Sequence, residues 1–133
     1  MFIRVILALW AVLIFAPFLS AAEICPVLDR EELESLLADA PSCDRSMDLF
    51  KACAYGAGGD TGLGAIVTEK CEADFLAALS RAERRVYDGK IRACDRKYAR
   101  ESGTMYRSFE AFCRAGVAQR YARRAARTKR GRR

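Results

Sequence analysis

Six cysteines, Cys25, Cys43, Cys53, Cys71, Cys94 and Cys113, are the side chains best equipped for chemistry, and the 133 residues include no histidine to assist them. A thiol can attack a substrate, hold a metal or pair with another thiol. Without histidine, neither a Ser-His-Asp nor a Cys-His arrangement can be built. The same absence, with no Cys-x-x-Cys pair, speaks against a zinc site. An even cysteine count in a short exported chain points instead to three structural disulfides. Six cysteines allow fifteen connectivities, so counting alone does not pair them.

Two further stretches invite a chemical reading. Asp60-Thr61-Gly62, within "GAGGDTGLG", is the aspartic-protease triplet. That chemistry takes two carboxylates sharing one proton in a β-rich, two-lobed or dimeric site. Here the triplet lies between helical segments and reads as a mobile turn. The same glycines lack the preceding strand and the Gly-Lys-Ser/Thr of a phosphate loop. Glu31 and Glu32 read as a solvated helix face. No catalytic residue, cofactor or metal is therefore assigned, and a non-enzymatic protein is expected. The second stretch is the basic end, "YARRAARTKRGRR". Arg120, Arg123, Arg124, Arg127, Lys129, Arg130, Arg132 and Arg133 offer charge to an anionic membrane or cell-wall polymer. The alternative is a frayed, solvated terminus.

The charge is unevenly spread. From Glu23 to Cys113 there are 13 basic and 17 acidic residues, a net of −4; from Arg114 to Arg133 there are nine basic residues and no acidic one. The overall +6 thus belongs to the end of the chain and gives no case for specific nucleic-acid binding by the domain.

The elements that position these residues follow from three boundaries. Residues 1–22 run from Arg4 through an uncharged apolar stretch to Ser20-Ala21-Ala22, the order of a signal peptide cleaved before Glu23. Pro17 and the small-residue ending favour cleavage over an uncleaved anchor. A periplasmic or secreted location follows, where disulfides persist. A disulfide-bonded helical domain is expected over 23–122 and a flexible basic tail over 123–133. The fold expected is all-α, a small disulfide-stapled bundle of four to five helices.

Helical periodicity is clear within that domain. Asp29 and Glu32 have capping-box spacing, Leu28 and Leu33 are placed for a hydrophobic staple, and Pro41 ends the helix. A second helix fits "DRSMDLFKACAY". Periodicity returns from about Ala65 to Leu79. Ser80 and Glu83 open a long helix with Tyr87, Ile91, Cys94 and Tyr98 on one stripe. Gly103 is a natural C-terminal stop and Thr104 a natural N-cap. The last helix turns Met105, Phe109, Phe112, Cys113 and Gly116 to one side. Cys94 and Cys113 are nearly equidistant from the Ser-Gly-Thr break, so two antiparallel helices would bring them together. We expect them paired. For Cys25, Cys43, Cys53 and Cys71 the pairing stays open, with a lean toward a bridge through Cys71 joining helices two and three.

"AERRVYDGKIRAC", "SGTM", "FC" and "VAQRYA" together resemble the C-terminal half of the LprI-like lysozyme-inhibitor family. Ala82, Arg84, Cys94, Gly103, Thr104, Met105, Cys113 and Arg120 match its pattern over residues 82–121. Glu83 stands for its Gln, Val86 for its Trp, and Ile91-Arg92 for its Arg-Asp. The resemblance implies an exported, disulfide-bonded helical domain that binds a lysozyme or another envelope protein. Two alternatives stand beside it: an envelope structural protein with no enzyme target, and a cationic antimicrobial or membrane-surface binder driven by the tail.

Overall fold

Side chains that prefer to cap mark where three of the helices begin. The Asp29 carboxylate accepts the Glu32 N–H at 3.0 Å, and the Ser42 hydroxyl accepts the Arg45 N–H at 3.1 Å. Ser80 accepts from the Glu83 N–H while Glu83 accepts from the Ser80 N–H at 2.8 Å, a complete reciprocal cap. In the computed structural model, which describes residues 23–132, five helices result: α1 Arg30–Ala38, α2 Cys43–Cys53, α3 Asp60–Glu72, α4 Arg81–Tyr98 and α5 Thr104–Gly131. A 3-10 turn at Leu76–Ala78 precedes α4, and no strand occurs among the described residues. The signal peptide read over residues 1–22 lies outside them, as does Arg133.

All six cysteines are paired. Cys25 joins Cys53, Cys43 joins Cys71 and Cys94 joins Cys113, with Cα atoms 4.9, 4.6 and 5.7 Å apart. The last is the hairpin staple expected from spacing, and the second links α2 to α3. Three disulfides suit an oxidising, extracellular setting. No described helix is long and apolar enough to cross a membrane.

The bridges divide the chain into two units. Two bridges tie α2 to the segment before α1 and to α3; one ties α4 to α5; none runs between these groups. The join is made by packing, chiefly of α3 against α5. The Phe50 ring of α2 stacks on Phe112 of α5 at 4.2 Å. Phe75, Tyr87 and Tyr121 form a ring cluster with centroids 5.0–5.4 Å apart.

The α3–α5 approach is close because small residues line it. A Cβ built on Gly64 would lie 2.8 Å from the Ala111 Cβ. The buried stripe of α5 is accordingly Ser108, Ala111, Ala115, Ala118 and Ala122. This corrects the apolar face expected for that helix. Met105 and Phe109 are 49% and 43% exposed. A large side chain on the buried stripe would push α3 away. Phe109 packs instead near Tyr98 and Tyr106, at 6.3 and 6.0 Å between centroids.

Other boundaries differ from the sequence expectation as well. Leu28 is 97% exposed, so no staple forms with buried Leu33. α3 starts at Asp60, five residues earlier than its apolar periodicity suggested. α4 ends at Tyr98, and Gly103, with φ of 115°, sits at the N-cap position of α5, making Thr104 the first helical residue. The positive φ suits glycine, which has no Cβ to clash. α5 continues to Gly131, so the stretch from residue 123, where a flexible tail is expected from the sequence, is helical. Alanine, arginine and lysine are strong helix formers. Burial of Ala122 and the Arg123–Asp44 ion pair, at 2.7 Å, carry the helix past the core.

Candidate functional site

The Asp60-Thr61-Gly62 triplet is a structural node. Asp60 is 0% exposed and accepts three hydrogen bonds: from the Tyr55 N–H at 2.8 Å, the Gly56 N–H at 2.9 Å and the Ser108 hydroxyl at 2.6 Å. Its carboxylate thus closes the glycine loop and ties it to α5. Periodicity could not foresee this, because the residue that starts α3 is polar and its partner lies 48 positions away.

The other polar links between the units share one polarity. The Tyr87 hydroxyl donates to Glu72 at 2.6 Å. The Gln119 amide and the Arg123 guanidinium both donate to Asp44 at 2.7 Å. As with Ser108 and Asp60, the first unit supplies the carboxylate and the hairpin the donor. Burial, reinforced by the Glu72 carboxylate, pushes the Tyr87 hydroxyl well above the ordinary tyrosine value. Partial burial alone would raise the Asp44 carboxyl; the hydrogen bonds from Arg123 and Gln119 outweigh it and hold the carboxyl below its ordinary range. Glu83 is held low by its hydrogen bonds with Ser80.

Folding sharpens the charge asymmetry. Residues 23–78 carry four basic and 12 acidic side chains, a net of −8. Residues 79–133 carry 18 basic and five acidic, a net of +13. The sequence expectation put the divide at Arg114, but α4 is itself basic and belongs with α5.

The helical C-terminus gives the basic residues fixed places. Arg123, Arg127 and Arg130 lie along one side of α5 and border a cleft of about 530 Å³ with Ser42, Asp44 and Asp74. Arg124, Lys129 and Arg132 border a second cleft, of about 590 Å³, on the side facing α4. Its floor is Phe75, Leu79, Val86 and Tyr121. The Arg124 guanidinium lies 5.3 Å from the centre of the Tyr121 ring. Arg120 is exposed nearby, and Arg114, also of α5, pairs with Asp95 of α4 at 2.5 Å. Among the described residues, Arg120, Arg124, Arg127, Lys129, Arg130 and Arg132 make no ion pair.

The apolar floor of the second cleft is the part sequence reading missed. Its residues come from the 3-10 region, α4 and α5, and no single helical stripe contains them. The only signal was Val86, a large apolar side chain amid charged neighbours, which is 57% exposed. Compared with protein-family models, curated proteins and solved structures, the chain matches none.

Proposed function

We propose that this chain is an exported, non-enzymatic interaction protein of the bacterial envelope, with two binding poles of opposite charge. The observation that carries this reading is the segregation of charge onto two separately stapled units, −8 on one and +13 on the other. Opposite charge speeds encounter and fixes orientation. The basic hairpin suits anionic envelope polymer or membrane surface. The acidic unit, with Glu31 and Glu32 exposed on α1, suits a cationic protein. A lysozyme is the partner that the resemblance of residues 82–121 puts first. Its inhibition would follow from the acidic unit covering the enzyme's basic surface.

The test is binding of the oxidised protein to a cationic lysozyme, together with the enzyme's lytic rate. We expect Glu31→Lys with Glu32→Lys to weaken binding about tenfold, a loss of the size that charge complementarity supplies. Arg127→Glu with Arg130→Glu should leave it unchanged or tighter. Absence of binding, or binding indifferent to both changes, removes the lysozyme reading.

A further inference from the structure

The second cleft combines features that neither pole requires. Its floor is apolar, with Val86 held open to solvent although it is a large aliphatic side chain. Its rim on α5 is cationic, and among the described residues Arg124, Lys129 and Arg132 have no acidic partner. Two acids border it. The Glu83 carboxylate is engaged by Ser80 in the helix cap, and Asp74, next to Phe75 in sequence, is the other. At about 590 Å³ the recess is of the size that holds a small ligand.

We propose that this groove holds a single-chain amphiphile with an anionic head. The acyl chain lies over Phe75, Leu79, Val86 and Tyr121, and the head meets Arg124, Lys129 and Arg132. Charge sets the sign of the head, because three exposed cations against two carboxylates leave the cleft with a positive excess that attracts an anionic head and repels a cationic one. Walls that are mostly helix spend their backbone groups internally, so an extended peptide would find few main-chain partners there, and an acyl chain needs none. The site is a recess rather than a flat face, which favours a free monomer over a bilayer surface. This inference stands apart from the lysozyme reading, since a lysozyme would dock on the other unit; its cations belong to the basic pole.

The experiment is calorimetric titration of the oxidised, exported protein with dodecanoate below its micelle concentration. Butyrate, dodecyl maltoside and dodecyltrimethylammonium serve as controls for chain and head. Dodecanoate should bind, and the three controls should bind at least about tenfold more weakly. Val86→Glu puts a like charge in the floor at an exposed position that folding tolerates; it should weaken dodecanoate about tenfold or more. Arg124→Ser with Arg132→Ser should also weaken it about tenfold while helicity by circular dichroism is unchanged. No heat with dodecanoate overturns the proposal. So does undiminished binding in both variants, or equal binding of the cationic amphiphile. Flotation with phosphatidylglycerol vesicles that is lost in Val86→Glu, with no dodecanoate binding, would make the cleft part of a membrane-facing surface instead.

Discussion

The acidic unit and the basic hairpin are built on different principles. In the first, α1, α2 and α3 bury large apolar side chains, Leu33, Leu37, Leu49, Phe50, Leu63 and Val67, and two disulfides hold α2 to α3 and to the segment before α1. In the second, a long helix offers mostly alanines to its neighbours, and one disulfide holds α4 to it. The first unit has depth, whereas the hairpin has length and charge. Where they meet, the carboxylates come from the acidic unit and the donors from the hairpin. The charge that separates the units at the surface is thus compensated at their join.

The largest effect should come from cutting that join at its most buried ring. Phe50→Ala removes the stack on Phe112 and leaves a cavity, and should cost about 3–5 kcal/mol by urea unfolding. A loss below about 1 kcal/mol would mean that the units are stable separately and share little energy.

Next is the hairpin's own staple. Replacing Cys94 and Cys113 by serine opens a loop of sequence separation 19 and should cost about 3 kcal/mol in a loop-entropy account. Amide exchange in α4 should rise far more than in α2. Equal acceleration in both would show that the molecule opens as one cooperative body.

Asp60→Ala should cost about 2–3 kcal/mol, because it strands the Tyr55 and Gly56 N–H donors and frees Ser108. Protease nicking in residues 54–60 should appear alongside. If stability holds while nicking rises, the node orders the loop without joining the units.

Tyr87→Phe should cost about 1 kcal/mol through loss of the Glu72 hydrogen bond. The Tyr87 hydroxyl titrates higher in the fold than in the unfolded chain, so its contribution is complete below about pH 10 and is lost as pH rises above that. An alkaline melting series should therefore fall more steeply for the parent than for Tyr87→Phe. Parallel curves would contradict the assignment.

The smallest effect belongs to Arg123→Ala, about 0.5 kcal/mol at low salt and less at high salt, since both side chains of its ion pair with Asp44 are half exposed. Asp44 is shifted downward, so its contribution is present above about pH 4 and is lost as pH falls. A melting series between pH 2 and 5 should show the variant less sensitive than the parent.

Local chemistry was legible in the sequence. Asp29 and Ser80 cap helices because their side chains satisfy N–H groups within three residues, and no distant part of the chain is needed to decide it. The Cys94–Cys113 bridge followed from distance to a turn, which is also local. The all-α class followed from apolar spacing. Tertiary structure alone decided the rest, wherever the deciding partner lies far along the chain. Asp60 is a node because Ser108 reaches it, and α5 buries alanines because Gly64 comes so near. The basic end holds its helical path against Asp44, 79 residues away from Arg123. The apolar groove exists only because Leu79, Val86 and Tyr121 converge from separate elements. Periodicity reports one element against an unspecified neighbour; it carries no record of which neighbour, or how closely it approaches.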